Sequence, residues 1–355
     1  MKALNEMLPI IGRAPLRIGL GGGGTDVSPY CDEFGGYVFN ATISVFCFCL
    51  LTEPESSATL TLKTSDLGKR FHWTRATPDG LIPPAFRLHV ASYKRFIEEF
   101  NKGEEMPLTI TTWSEAPYGS GLGASSTMVV SILVALKELF STKLSKYELA
   151  RLAYTIERTD CKLLGGQQDQ YAASFGGFNF MEFGSQNRVI VNPLRLSHDV
   201  EAELQASLTL VYSGVSRDSG TIIQDQLKNL QERSNAQIDF YQAMHAVKAI
   251  AVKMKEALLE ARLDVFGDLL LESWRSKQML SDMITNETID SIINRGMSCG
   301  ATAAKVSGAG GGGVLMFFSR PEHRESIRRA LNEEKVILIP FSFTDQGASA
   351  WQTLR

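Results

Sequence analysis

Neither sign of charge predominates in this chain. Its 36 Lys and Arg against 39 Asp and Glu leave a formal net charge of −3 over 355 residues. A balance this close gives no electrostatic reason to bind nucleic acid or an anionic membrane surface. Long apolar runs are missing as well. No stretch reaches the length of a membrane span. The most apolar one, Tyr37 to Leu51, is interrupted by Asn40, Thr42 and Ser44, as a strand would be. The opening M-K-A-L-N-E-M-L-P-I lacks the apolar centre of a secretory signal. Cysteine is sparse: Cys31, Cys47, Cys49, Cys161 and Cys299 are odd in number and have no metal-ligand spacing. Reduced thiols in a cytoplasmic protein are the expectation. None of the five histidines sits in a recognisable motif. Two common nucleotide signatures are absent. No G-x-x-x-x-G-K-[ST] occurs, and no strand-to-helix G-x-G-x-x-G carries an acidic residue about 20 positions on.

What the chain has instead is glycine, in three clusters. The central one, E-A-P-Y-G-S-G-L-G-A-S-S-T at 115–127, reads as a loop, because Pro117, Gly119, Gly121 and Gly123 forbid a regular helix or strand. It runs into M-V-V-S-I-L-V-A-L-K-E-L-F at 128–140, whose apolar residues recur at helical spacing. A glycine loop opening a helix presents unpaired N–H groups at the positive end of the helix dipole, which suits an anion. Ser120, Ser125, Ser126 and Thr127 add hydroxyls for phosphate oxygens or a metal ion. A Ser-rich helix cap after a tight turn is the competing reading. The other clusters are Gly21–Gly24, followed by Thr25 and Asp26, and G-A-G-G-G-G at 308–313. Ordering four consecutive glycines is entropically expensive, so two such runs suggest a functional reason.

The coarse pattern is α+β. Strands are predicted at 10–20, 36–52, 58–64, 106–114, toward 183, 206–213, after 313 and at 335–343. Helices are predicted at 85–101, 128–140, 145–158, 220–262, 264–283, 286–299 and 321–334, with a short one around Tyr30. Ser145 and Glu148 form a capping box, and residues 66–84 read as loop. Strands dominate the first half and helices the second, which predicts two α+β domains with a cleft between them, divided as 1–195 and 196–355.

R-A-P-L-R-I-G-L-G-G-G-G-T-D at 13–26, A-P-Y-G-S-G-L-G-A-S-S at 116–126 and K-V-S-G-A-G-G-G-G at 305–313 resemble the three motifs of the GHMP small-molecule kinases, in order and separation. The motifs bracket nearly the whole chain. Within the family, G-G-G-T-D, G-G-Q-Q-D-Q-Y-A-A-S-F-G-G-F-N-F and L-V-Y-S-G-V-S-R are most similar to the subgroup acting on D-glycero-D-manno-heptose 7-phosphate. The resemblance implies a ribosomal-protein-like N-terminal domain, a ferredoxin-like C-terminal domain and an active site between them. It implies ATP and Mg2+, a sugar phosphate as the small-molecule partner, and neither nucleic acid nor membrane; it leaves a homodimer open. The reaction it implies is phosphorylation of the anomeric hydroxyl to a 1,7-bisphosphate, on the way to nucleotide-activated heptose. A kinase for an unphosphorylated sugar such as L-fucose or galactose, or a non-catalytic sugar- and ATP-binding regulator, are the alternatives.

Residue by residue, the resemblance gives the ATP phosphates to Pro117, Gly119, Ser120, Gly121, Leu122, Gly123, Ala124, Ser125 and Ser126. It gives magnesium to Ser125 and Glu157, where hard oxygen ligands and phosphate oxygens suffice. Asp169 matches the catalytic aspartate and Arg17 the active-site arginine of galactokinase. Gly22, Gly23, Gly24, Thr25, Asp26, Gly310 and Gly311 are assigned to the sugar. Galactokinase has an acidic residue and a histidine before T-D where this chain has Gly23 and Gly24, which makes room for a larger or phosphorylated sugar. Arg217, with Lys162 behind it, is the candidate for a distal phosphate. Each of these has a plain structural alternative. Glu157 could be an exposed helix charge paired with Lys162, and Asp169 a turn cap. Arg17 could be a charge on an edge strand, Asp26 an N-cap for the helix near Ser28, and Arg217 and Lys162 solvated surface charges.

Overall fold

The computed structural model describes residues 7–55, 60–215, 220–225, 235–334 and 336–354. Among these residues, twelve strands fall into two sheets. The first has β1 (Ile10–Gly21), β2 (Gly36–Thr52), β3 (Leu60–Thr64), β4 (Lys69–Trp73), β5 (Thr109–Ser114), β6 (Phe178–Gly184), β7 (Arg188–Leu194) and β12 (Ser349–Gln352). Its main path runs β12-β1-β2-β5-β3-β4, with β6 on β2 and β7 on β6; only the β3–β5 pair is parallel. The second sheet is antiparallel, in the order β11 (Ile337–Leu338), β8 (Leu208–Tyr212), β10 (Val314–Ser319), β9 (Ala301–Val306).

Side-chain alternation along β1 and β2 explains how the sheets are joined. Leu16, Ile18 and Leu20 of β1 share a buried cluster with Phe39, Ala41 and Ile43 of β2. The same cluster takes in Leu208 and Leu210 of β8, Met316 and Phe318 of β10, and apolar residues of helices Asn235–Leu259 and Leu263–Gln278. A second cluster packs β1, β3 and β5 against helices Arg87–Phe100, Ala124–Leu139 and Lys146–Thr155. With a period of two, Arg17 and Gly19 lie on the face opposite Leu16, Ile18 and Leu20, toward the glycine loop.

Several boundaries differ from expectation. The central helix begins at Ala124, not 128, and its N-cap is Gly123 in the left-handed region, with no side-chain cap. Ser125, Ser126 and Thr127 therefore sit in the first helical turn, which removes the Ser-cap reading. Residues 66–84 contain β4, which pairs with β3 across a short turn, and the 3-10 turn Asp79–Leu81; a second such turn, Pro84–Phe86, begins at their end. A helix, Gln168–Phe175, precedes β6. Ser197 starts another, His198–Ser207, which was not among the expected helices, by accepting a hydrogen bond from Val200 N–H. The predicted strand at 335–343 shrinks to β11, since Ile339 N–H still bonds Leu210 O but Pro340 has no N–H to continue the ladder. The last strand is β12, which returns to pair with β1. The 195/196 division remains a proposal, with this strand crossing it.

The first glycine cluster is a site of close backbone approach. Gly22 has φ +78°, and a Cβ there would lie 1.8 Å from the Tyr37 carbonyl oxygen. Thr25 Oγ1 donates toward Gly22 O and Tyr37 O and accepts from Tyr37 N–H, stapling the same turn to β2. Gly22→Ala should therefore destabilise the protein by about 2–4 kcal/mol or prevent folding. Thermal unfolding of the purified variant checks this, and a wild-type midpoint would contradict it.

Candidate active site

Arg17 is 4 % exposed yet carries a full charge. Its Nε and Nη2 both reach Asp169 Oδ1 at 2.7 Å. Its Nη1 donates to Gly121 O at 2.8 Å and lies 3.4 Å from Ser307 Oγ. Its backbone N–H bonds Leu122 O. One guanidinium thus ties β1 to the first turn of helix Gln168–Phe175, to the glycine loop and to the start of the third glycine cluster. Arg17 is no edge-strand surface charge, and Asp169 caps no turn. Asp169 keeps 24 % of its side chain exposed, and no donor among the described residues reaches its Oδ2.

The glycine loop and the third cluster touch through their backbones. Gly308 has φ +85°, and a Cβ on it would stand 2.5 Å from Gly121 O; one on Gly121 would meet Ser307 O at 2.7 Å. Val314 N–H also bonds Ser120 O at 2.8 Å. Ser120 Oγ is buried with no hydrogen-bond partner among the described residues. An unpaired buried hydroxyl beside a helix N-terminus is a ready donor for an anion.

Glu157 is 2 % exposed and paired with Arg158, not Lys162. Ser126 Oγ donates to its Oε2 and Gln170 Nε2 to its Oε1, both at 3.0 Å. Burial pushes this carboxyl above its ordinary range, and the field of Asp169 adds to that. Arg158, Ser126 and Gln170 oppose it. Asp26, also buried, accepts from Gln167 N–H at 2.8 Å, Gln168 N–H at 3.0 Å, Gly24 N–H at 3.2 Å and Gln168 Nε2 at 3.3 Å. It therefore holds the start of the helix that carries Asp169, rather than capping the one near Ser28. Burial raises the Asp26 carboxyl above its ordinary range, partly offset by these bonds.

These groups line one cavity of about 550 Å³. From the expected set it gathers Arg17, Asp26, Glu157 and Asp169, with Gly23 and Gly24. It also gathers Gly119 to Gly121 and Gly123 to Ser126. It leaves out Pro117, and Leu122, which is core. Gly22 and Thr25 staple a turn instead. Gly310 and Gly311 pack on Ile284, with Gly311 N–H on Ile284 O and Asn286 Nδ2 on Gly311 O. Lys162 lines the cavity, whereas Arg217 lies outside the described residues. A divalent cation fits the donor chemistry here, since Glu157 and the Ser125 hydroxyl are hard oxygens facing the same space. No cluster of three His, Cys, Asp or Glu occurs among the described residues, so such an ion would share phosphate oxygens.

The sequence reading missed two cavity lysines. Lys305 opens the K-V-S-G motif but was given no role. Lys277 sits on an amphipathic helix whose buried face hides it.

A helix N-terminus with an orphaned hydroxyl, beside a carboxylate held by a buried arginine, has the chemistry that phosphoryl transfer calls for. The match to known proteins agrees. The model of the GHMP kinases N-terminal domain matches residues 87–177 and that of the GHMP kinases C-terminal region matches 254–337. The chain belongs to the GHMP kinases and has their two-domain fold. It is 38 % identical to a D-glycero-alpha-D-manno-heptose 7-phosphate kinase of Campylobacter jejuni, over 96 % of this chain and 98 % of that one. A crystal structure from Bacteroides thetaiotaomicron, titled as a D-glycero-D-manno-heptose 1-phosphate kinase, is 37 % identical with a TM-score of 0.79, covering 98 % of this chain and 100 % of that one. A bifunctional fucokinase/GDP-fucose pyrophosphorylase of Arabidopsis thaliana is 27 % identical over 90 % of this chain, which spans 31 % of that protein.

The two lysines have a thermodynamic signature. Burial pushes Lys277 down to about 8 and Lys305 down to about 7, from an ordinary 10.5; Arg17 adds to the first shift, which Asp26 opposes, and Lys277 and Arg17 add to the second. The unfolded chain therefore binds more protons than the folded one above about pH 7, so stability rises with pH. Asp26 and Glu157, raised instead, lose their contribution as pH climbs from the acid range. In the ligand-free protein the melting temperature should rise between pH 7 and 9. The rise should vanish in a Lys277→Met/Lys305→Met double variant; an unchanged slope would contradict these environments.

Proposed function

We propose that this chain is an ATP-dependent kinase that phosphorylates the anomeric hydroxyl of D-glycero-D-manno-heptose 7-phosphate, giving the 1,7-bisphosphate and ADP. The observation that carries the chemistry is the Arg17–Asp169 clamp, which leaves Asp169 Oδ2 open toward the cavity beside the glycine loop. The sugar comes from the 38 % identical relative and the matching motifs. The Campylobacter and Bacteroides relatives are named for different phosphate positions, 7 and 1. The 7-phosphate form is adopted because it leaves the anomeric hydroxyl, the most acidic one of a sugar, as acceptor.

The glycine loop binds the ATP phosphates through its N–H groups, Ser120 and the helix dipole. Asp169 Oδ2 accepts the proton of the attacking hydroxyl. The C1–O–Pγ bond forms as the bond from Pγ to the leaving ADP oxygen breaks, and no covalent enzyme intermediate is needed. Arg17 holds and aims Asp169, and adds positive charge beside the transferring group. Asp26 meets the sugar at the edge of its N–H bonds; the contacts from Gly24 N–H and Gln168 Nε2 are the longest and the ones a sugar hydroxyl would displace. Glu157 and Ser125 would hold Mg2+, which when bound neutralises phosphate charge. A cytoplasmic setting belongs to the same reading, since five free cysteines and an ATP substrate suit it.

A kinase for a free sugar such as L-fucose is the second reading, favoured by the Arabidopsis relative. A non-catalytic regulator is the third, and the intact Arg17–Asp169 and Glu157–Ser126 pairings argue against it. ATP consumption with heptose 7-phosphate, mannose 6-phosphate, mannose, L-fucose and galactose separates the three. Strong preference for the heptose phosphate is expected; turnover only with a free sugar would discard the substrate, and no turnover with any sugar the enzyme. Asp169→Asn should lower kcat by about 1,000-fold or more while nucleotide affinity stays within about threefold. A wild-type kcat in that variant would refute the assigned base.

A further inference from the structure

Two ammonium groups reach the cavity, and among the described residues neither makes an ion pair with a carboxylate. Lys277, on the helix Leu263–Gln278, is 7 % exposed, and Lys305, in β9, is 5 % exposed; both line the cavity. Among the described residues each has one hydrogen-bond acceptor, a main-chain carbonyl. Lys277 Nζ donates to Gly308 O, and Lys305 Nζ to Leu20 O at 2.8 Å. An ammonium has three N–H donors, and one carbonyl leaves the others unused. The carboxylates of the cavity are committed elsewhere: Asp169 to Arg17, Glu157 to Arg158, and Asp26 to four N–H groups. Lys277 and Arg17 both disfavour protonation of Lys305, and Arg17 disfavours that of Lys277 against a smaller opposing pull from Asp26. Charged side chains are almost never this buried without a counter-charge. As core residues they would be a standing liability; as an anion site they are preorganised.

Their carbonyl partners locate them. Leu20 immediately precedes Gly21–Gly24, and Gly308 abuts Gly121, so the pair spans the space between the first glycine cluster and the nucleotide loop. The loop and its helix already provide N–H groups for a polyphosphate. We propose that Lys277 and Lys305 form a second phosphoryl-binding subsite in the cavity, separate from the glycine loop. It takes a dianionic phosphate group, either the one the acceptor sugar already carries or the terminal one of the nucleotide. The inference rests on the kinase reading above, and deepens it by assigning a phosphate that the loop does not hold.

The test is calorimetric titration of the full-length protein and its Lys277→Met, Lys305→Met and Lys277→Arg variants with two ligand pairs. One pair is heptose 7-phosphate against free heptose, the other a non-hydrolysable ATP analogue against ADP. Each Lys→Met change should weaken the more phosphorylated member of one pair by tenfold or more and leave its partner within twofold. Lys277→Arg should retain most of the preference. Movement of the sugar pair assigns the subsite to the acceptor phosphate, and movement of the nucleotide pair to the γ-phosphate. The Met variants should also melt no lower than wild type at pH 7, because a buried unpaired charge has been removed. Both pairs binding a folded Met variant as they bind wild type would overturn the subsite. So would equal weakening of both members of each pair with a lowered melting temperature, the mark of a structural lysine. Wild type that binds neither nucleotide nor any sugar phosphate would instead refute the kinase reading.

Discussion

Arg17 brings a permanent charge into the seam between the two sheets, and nearly every feature of the site depends on how that charge is satisfied. A guanidinium presents five N–H donors in a fixed plane. Here they reach Asp169, the Gly121 carbonyl and the neighbourhood of Ser307. Removing any one of these partners would leave part of a buried charge unsolvated, which is far more costly than losing a surface ion pair. The constraint fixes the Asp169 carboxylate relative to the glycine loop, although the two lie far apart in sequence. That relation is what phosphoryl transfer requires, since positioning and charge do most of the chemical work.

The glycines follow from the same constraint. For one arginine to reach two loops, the loops must approach backbone to backbone, and Gly121 and Gly308 do so at distances that exclude a Cβ. The first cluster acts differently: Gly22 closes on Tyr37 to set the turn before Asp26, and Asp26 then holds the start of the helix bearing Asp169. The second sheet contributes Lys305 and Val306, and the helix Leu263–Gln278 packed in the same core contributes Lys277, so the cavity is completed only when the two sheets share one apolar core. Binding residues and folding residues are hard to separate in this seam.

What could be read from the residues alone was the pattern that local chemistry imposes. The capping box of Ser145 and Glu148 is present as expected, because both halves of it lie in four consecutive residues. The long amphipathic elements and the three glycine clusters were legible for the same reason. Burial of a charge was not. Glu157 reads as a solvated helix face until the 156–160 turn widens and places it against Ser126 and Gln170. Asp26 reads as a local cap, and its real partners lie 141 and 142 positions away. Lys277 gave no signal because nothing in a helical pattern distinguishes a lysine that points to solvent from one that points to a cavity. Gly310 and Gly311 misled in the other direction, since a glycine that serves a ligand and one that serves a neighbouring backbone look alike in sequence. The short β11 and the returning β12 depended on Pro340 and on pairing with β1 from the far end of the chain.

The central claim is that the cavity aligns the anomeric hydroxyl of a phosphorylated heptose with the terminal phosphate of ATP. Phosphorus–proton correlation NMR of the product formed from heptose 7-phosphate tests this most directly, because it reports where the new bond lies. The account predicts a second phosphorus signal coupled to the anomeric proton, with the original phosphate unmoved. A new phosphate coupled to any other carbon, or free inorganic phosphate with the sugar unchanged, would contradict it.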